Sequence, residues 1–392
     1  MIEILFWFAL AVLVYTFVGY PALVWLLGRL MPRAVQRGAI EPPVTVLIAA
    51  YNEAESIAGR IENCLELDYR PDRLEIVIAS DGSTDGTVDV ARRYERPAFP
   101  GPAVRVLAYP WRRGKPSVLN DTIPRCRGAI VVLGDARQRY ETDAVRRLTE
   151  NFADHSVGAA SGELLLLNDT AAPMGHGVGA YWRYEKLIRR SESALHSTVG
   201  ATGAIYAIRR RLFEPIPADS LDDDVVIPVR IARHGYRVVF DARARAWDRA
   251  AATGREEYTR KVRTIGGIVQ LFVREHWLLL PAHRLWLPAV SHKFLRLAAP
   301  FLMLTVLFTD ALLVGRETIY LLGFTAQVGL YSAAAGGVLL RRRRSRLARL
   351  LGIPYAFCLL NSTTLVALCR SMTGRQTVQW RKATETAQTK AA

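Results

Sequence analysis

The sequence predicts an α/β domain built on a mostly parallel sheet with helices on both faces, with membrane-spanning helices at both ends. Three observations carry that prediction. Short apolar runs alternate with helical stretches between Pro42 and about Trp247, the pattern of strands covered on both sides. Long stretches nearly free of charge flank that region, as a bilayer requires. A net charge of +16, from 52 Lys and Arg against 36 Asp and Glu, has its densest cluster beside one of those stretches, where a membrane protein carries its inner side.

The membrane elements follow from charge and length. Ile4 to Gly28 is uncharged, with Glu3 before it and Arg29, Arg33 and Arg37 after it. That asymmetry predicts an uncleaved anchor in the cell inner membrane, with the N-terminus outside and the next domain in the cytoplasm. Leu297 to Gly315 is apolar apart from Asp310, Ile319 to Leu340 is apolar throughout, and Leu350 to Cys369 is uncharged. The run RRRRSRLAR, Arg341 to Arg349, then lands inside. The last span places Arg370, Arg375, Arg381 and Lys382 outside, against the rule, unless one span is re-entrant. Asn361, Ser362, Thr363 and Thr364 make that span the most polar. Asp310 inside a span calls for a partner, and Arg296 and Arg316 are its nearest basic residues in sequence.

The domain plan is an N-terminal transmembrane helix over 1–30, a cytoplasmic domain over 42–275, and an interfacial segment over 276–296. A membrane region of about three helices over 297–370 and a polar tail over 371–392 complete it. Mean hydropathy of +0.11 agrees with a membrane protein. Cys64, Cys126, Cys358 and Cys369 form no C-x-x-C pair and no zinc quartet, which argues against a disulfide framework. The arginine excess is juxtamembrane and no aromatic-basic platform accompanies it, so nucleic acid is not the expected partner.

Within the middle region the strands are VTVLIAA (Val44 to Ala50), LEIVIAS (Leu74 to Ser80), VRVLAY (Val104 to Tyr109) and AIVVLGD (Ala129 to Asp135). Each ends in polar or glycine-rich residues: YNEAES, DGSTDGT, PWRRGKPSVLN and DARQ. Four such loops converge on one sheet edge, the place where open α/β sheets bind ligands. No G-x-G-x-x-G and no Walker lysine motif occurs, which disfavours a dinucleotide fold and a P-loop enzyme.

VTVLIAAYNEAESI, IVIASDGSTDGT, RRGKPSVLN and VVLGDARQ, in that order, resemble the nucleotide-binding half of a family 2 inverting glycosyltransferase of the GT-A type. LDDDVVIPVRIARHGYRVVFDARARA resembles the family's acceptor-side segment, and YTRKVRTIGG resembles a variant of its Q-x-x-R-W element. The flanking spans resemble those of membrane-bound bacterial members, a superfamily that includes the cellulose, hyaluronan and chitin synthases. The resemblance implies a Rossmann-like GT-A fold and a nucleotide-diphosphate sugar donor, favouring a UDP-sugar. It also implies a lipid-linked or exopolysaccharide acceptor and a divalent cation, magnesium or manganese. Processive members carry oligomer or export partners as a further implication, and membrane lipids are partners of any member with such spans.

Carried over by position, the resemblance places Ala50, Tyr51, Asn52 and Glu53 in the nucleotide pocket with Asp81, and Gly114 and Lys115 near phosphate. Asp135 matches the first aspartate of the metal motif, reaching the ion or the ribose. Arg137 departs from the family, because D-x-D has a second aspartate there. A guanidinium either supplies positive charge to the departing diphosphate or pairs with a nearby acid, and weaker metal dependence is expected in both cases. Alignment on Arg230 and the Gly235–Tyr236 pair makes Asp224 the catalytic base and Asp223 the preceding acid. Arg263 matches the arginine that contacts the donor diphosphate, with Arg260 on the same helical face. Thr264 stands where tryptophan is usual, which argues for transfer of one or a few sugars over processive synthesis. Gly203 lies in the loop below the acceptor, and Trp182 is a candidate stacking surface for a sugar.

Overall fold

The computed structural model describes residues 1–97, 101–167, 173–249, 254–340 and 345–373. Arg341 to Arg344, at the start of the basic run, and Arg375, Arg381 and Lys382 of the tail lie outside the described residues. The chain divides into two compact units.

The sheet unit covers Arg33–Leu167 and His196–Ala252 in its described parts. Its strands are β1 (Val44–Ala50), β2 (Leu74–Asp81), β3 (Ala103–Tyr109), β4 (Ile130–Asp135), β5 (Arg139–Tyr140), β6 (Val157–Leu167), β7 (Tyr206–Arg209) and β8 (Arg237–Arg249). They form one mixed sheet in the order β3-β2-β1-β4-β7-β6-β8-β5. The β1–β2, β2–β3, β1–β4 and β6–β8 pairs are parallel, and β7 and β5 run antiparallel to their neighbours. β2 is buried along its whole length and β1 at all but one residue. Strands covered on both faces read as unbroken apolar runs, so VTVLIAA and LEIVIASD lack polar alternation. The registers Ala49↔Asp135, Ala50↔Ser80 and Asp81↔Tyr109 bring the carboxyl ends of all four parallel strands to one edge.

The helical unit gathers Met1–Pro32 with the described parts of Asn168–Leu195 and Thr253–Gln376. In chain order the longer helices of the whole chain are α1 (Ile2–Leu30), α2 (Ala54–Leu65), α3 (Thr87–Arg92), α4 (Lys115–Thr122), α5 (Ala144–Glu150), α6 (Pro173–Leu195), α7 (Asp223–Arg233), α8 (Gly254–Arg274), α9 (Trp286–Leu313), α10 (Thr318–Leu340) and α11 (Arg346–Met372). Four of them, α1, α9, α10 and α11, are long and apolar enough to cross a membrane. This is a multi-pass membrane protein.

α9 begins at Trp286 and passes through a π-helical stretch at Ala289–Phe294, so the segment expected as interfacial over 276–296 is partly continuous with a span. α1 widens into a π-helix at Tyr15–Gly19. Pro21 has no N–H to give the Phe17 carbonyl, and that carbonyl instead accepts the Tyr184 hydroxyl at 2.8 Å. In α11, Asn361, Ser362, Thr363 and Thr364 bond back to the carbonyls of Phe357, Leu359 and Leu360, which removes most of the cost of polar groups in a span. Asp310 does not pair as expected. Arg296 pairs with Glu185 and Arg316 with Glu3, and the buried Asp310 carboxyl has no hydrogen-bond partner among the described residues.

Candidate active site

The first two loops are tied together before any ligand is considered. Asn52 adopts φ 53°, a left-handed conformation in which asparagine is tolerated better than most residues. Its N–H donates to Ser83 Oγ at 3.1 Å, and its Oδ1 accepts from the Thr84 N–H at 2.9 Å. Glu53 is buried and accepts the Ser56 hydroxyl at 2.6 Å at the start of α2. Asp81 receives the N–H of Arg113 at 2.7 Å and of Gly114 at 2.8 Å. The β3–α4 loop is therefore folded back onto the end of β2. The Arg112 guanidinium lies 3.7 Å over the Tyr51 ring, a cation–π contact.

Gly114, at φ 93°, makes a turn that only glycine takes readily, and α4 starts at the next residue. Lys115 is thereby held at the sheet edge. Its Nζ is 3.1 Å from Asp135 Oδ1 and 3.1 Å from Asp223 Oδ1, with the lysine side chain 25% exposed and those of the two acids 31% and 7%. Burial opposes the ammonium charge, but Asp135, Asp223 and Asp224 outweigh it and hold the lysine protonated far above its ordinary value. Burial alone would raise the Asp135 pKa; Lys115 and Arg137 pull it below the usual carboxylate range instead.

Arg137 pairs with an acid. Its Nε is 3.3 Å from Asp248 Oδ2 near the end of β8. Gln138 links the two pairs, with Nε2 3.1 Å from Asp248 Oδ2 and 3.4 Å from Asp135 Oδ2. Asp223, the first residue of α7, also accepts the Tyr206 hydroxyl at 3.0 Å. Burial and Asp223 push that phenol far above its ordinary value and keep it a donor.

Asp224 stands next to this set and only half-buried. Its backbone carbonyl accepts the Ala201 N–H at 2.7 Å. A Cβ on Gly203 would lie 2.8 Å from Asp224 Oδ2, so the loop reaches the carboxylate only because residue 203 is glycine. Asp223 meets Lys115 and Tyr206, and the Asp224 carboxylate lies against Gly203 in the loop read as the acceptor side.

A divalent ion needs several oxygen ligands turned toward it. Here Lys115 and Gln138 face the Asp135 oxygens, Lys115 and Tyr206 face Asp223, and Arg137 and Gln138 face Asp248. Among the described residues no group of three or more His, Cys, Asp or Glu is placed to hold a metal ion. The set does not fit a protein-held ion, and the expectation of magnesium or manganese at Asp135 lacks its ligand set.

The family described as glycosyltransferase like family 2 matches residues 42–267. The chain belongs to that family. This family 2 glycosyltransferase is 26% identical over 245 residues to the probable glycosyltransferase YdaM of Bacillus subtilis, covering 58% of this chain and 55% of that protein. It is 22% identical over 238 residues to the poly-beta-1,6-N-acetyl-D-glucosamine synthase of Staphylococcus epidermidis, covering 60% of this chain and 56% of that one. The chain thus spans about half the length of the curated relatives it matches. In fold it is similar to the mannosyltransferase PcManGT of Pyrobaculum calidifontis, solved with GDP-Man and Mn2+, at TM-score 0.71 and 23% identity, covering 96% of this chain and all of that one.

The remaining expected site residues lie in the helical unit. Arg260 and Arg263 are on α8. Trp182 is on α6, where Lys261 Nζ stands 5.2 Å over both the Trp182 and Tyr181 rings. In the glycosyltransferase's sheet unit, sequence reasoning missed Gln138, Tyr206, Asp248 and Arg112. Gln138 and Arg112 sit inside motifs already recognised, and Tyr206 in ATGAIYAIRR. Nothing local marks Asp248, whose place beside Arg137 depends on the β5–β8 pairing.

Proposed function

We propose that this protein is a membrane-bound inverting glycosyltransferase whose sheet unit faces the cytoplasm. It moves one or a few sugars from a nucleotide-diphosphate donor, favoured as a UDP-sugar, to a lipid-linked or exopolysaccharide acceptor. The observation that carries the reading is the Lys115 ammonium paired with Asp223 at the carboxyl edge of a parallel sheet, with the Asp224 carboxylate next along the chain and against Gly203. Asp224 takes the proton of the acceptor hydroxyl while its oxygen attacks the anomeric carbon from the face opposite the diphosphate. The carbon–oxygen bond to the diphosphate breaks and its electron pair leaves with the phosphate.

Ala50, Tyr51, Asn52, Glu53, Asp81 and Gly114 are proposed to form the nucleotide pocket. Tyr51 stacks on the base, and Asp81 acts through the loop it holds. Arg260 and Arg263 are proposed to reach the donor diphosphate, and Gly203 and Trp182 to serve the acceptor side. The arginines at 29, 33 and 37 support the cytoplasmic orientation. No step is assigned to a divalent ion, because the acids that would hold one are already matched with cations and donors.

A processive synthase, with the oligomer or export partners that go with it, is the second reading, favoured by likeness to the poly-N-acetylglucosamine synthases. Thr264 in place of tryptophan speaks against it.

The test is nucleotide release by the purified protein in lipid, over a panel of UDP- and GDP-sugars with membrane lipid extract, beside Asp224→Asn. Acceptor-dependent release lost in the variant is expected. Nucleotide binding without turnover for any donor and acceptor would overturn the transferase reading in favour of a binding subunit, and polymer from a single donor would favour the processive one.

A further inference from the structure

We propose that Lys115 is the resident cation of this site, and that the protein binds and turns over its donor without a divalent metal ion. The inference rests on the glycosyltransferase reading and specifies how that reaction is made at this sheet edge.

As the sugar departs, the bond between the anomeric carbon and the phosphate oxygen breaks, and the electron pair it leaves adds negative charge to the diphosphate. The proton of the acceptor hydroxyl goes to Asp224, so the leaving group must be neutralised from elsewhere. A metal held by two carboxylates is one solution and a fixed ammonium is another. This chain has the pieces of the second. Lys115 is held at the start of α4 by the Gly114 turn and by Asp81, which grips the N–H groups of residues 113 and 114. Its Nζ lies midway in contact between Asp135 and Asp223, at 3.1 Å from each. That is the space between β4 and α7 where an ion ligated by these two acids would have to stand.

The position two residues after Asp135 excludes a second ligand, because Arg137 is there and its guanidinium is directed to Asp248 at 3.3 Å. Gln138 joins the Asp135 and Asp248 carboxylates into one network. A dication entering here would have to displace an ammonium from two carboxylates and meet a guanidinium close by. Repulsion from the ammonium and the guanidinium then offsets part of the attraction to the carboxylates. A diphosphate entering the same place can take over the contacts that Asp135 and Asp223 make with an ammonium that is already positioned. The exposure of Lys115 and Asp135, about a quarter and a third of each side chain, leaves the network open to such an exchange.

The test uses the full-length protein in lipid nanodiscs, with UDP and GDP themselves as probes. Affinity is measured by calorimetry in chelator, in magnesium and in manganese, with electron paramagnetic resonance of manganese as a second readout. Wild-type affinity is expected to agree within about twofold across the three conditions, and no manganese should be bound by protein ligands. Lys115→Met should lose about tenfold or more in all three conditions, a change of about 1.4 kcal/mol. Lys115→Arg, which keeps the charge and guards against a simple folding defect, should retain most of the affinity. Arg137→Asp, which restores the second acid, should bind weakly in chelator and recover in manganese.

Wild-type binding that is about tenfold weaker in chelator than in manganese would overturn the inference and leave the transferase reading intact. Lys115→Met binding as well as wild type would also overturn it. Binding of neither nucleotide under any condition would overturn the transferase reading itself.

Discussion

Two charge networks, one in each unit, both pair carboxylates with cations and differ in access. In the sheet unit Lys115 joins Asp135 and Asp223, and the lysine and Asp135 keep a quarter to a third of their side chains in contact with solvent. In the helical unit His292 bridges Glu192 at 2.8 Å and Glu185 at 3.1 Å, Arg296 pairs with Glu185, and Tyr20 donates to Glu192 at 2.7 Å. There the histidine and both glutamates are at most 7% exposed. Both networks meet the requirement that buried charge be paired. The open one leaves its lysine and Asp135 within reach of solvent, as the proposed exchange with a diphosphate requires. The closed one ties α1, α6 and α9 together. A buried ion pair in this fold is therefore a lock or a site according to its access to solvent.

Breaking the closed network sharpens that distinction most. Glu185→Ala leaves Arg296 and His292 without a shared carboxylate, and removal of one partner of a buried pair costs about 3–5 kcal/mol. The expected outcome is a large drop in thermal stability of the protein in lipid, with nucleotide affinity per folded molecule unchanged. A comparable loss of affinity in the folded fraction would show that the two networks are not separate in function.

Gly203→Ala tests the open side. The added methyl carbon meets Asp224 Oδ2 at 2.8 Å, and overpacking of this kind costs about 1–3 kcal/mol. Turnover should fall by about tenfold or more, equivalent to about 1.4 kcal/mol of barrier, while nucleotide binding is retained. Unchanged kcat in the variant would remove Asp224 from the reaction.

Acid compares the two units in one titration. Burial would raise the pKa of Asp241, but Arg243 and Asn151 hold it below the usual range. Burial likewise opposes Glu185, and Arg296 and His292 hold it well below its ordinary value. A depressed carboxylate contributes stability at pH above its unfolded value, about 4, and loses it as pH falls through the folded value. Stability should be flat near neutrality and decline only in acid, and Asp241→Asn should flatten part of that decline. The smallest effect belongs to the exposed Arg146–Asp68 pair, at 2.6 Å. Asp68→Ala should change stability by no more than about 1 kcal/mol.

The first four strands and the four spans were legible because both depend on local pattern. A strand buried on two faces must be apolar throughout, and a span must lack charge over about 20 residues. The boundaries were less legible. α9 starts within the segment read as interfacial, because His292, Lys293 and Arg296 break the apolar pattern there while the helix runs through them. At the site, Asp81, Lys115, Asp135 and the acidic run were readable because each closes a recognisable strand–loop or loop–helix junction. The partners were not. That Asp81 grips backbone N–H groups, that Arg137 turns to Asp248, and that Asp310 stands apart from Arg296 and Arg316 are facts of distance across the chain.

By itself, then, the sequence determined the family, the parallel core, the membrane helices and the identity of the charged groups at the sheet edge. Periodicity, charge and motif spacing are properties of neighbouring residues and survive without a fold. Only the tertiary structure decided which of those charges neutralise one another. Lys115 and Asp135 are 20 residues apart and Arg137 and Asp248 more than a hundred, and only strand order together with the loop held by Asp81 brings such groups within 4 Å. Electrostatic energy depends on that distance and on burial, so which charges meet at the sheet edge is written in the packing of β4, α4, α7 and β8.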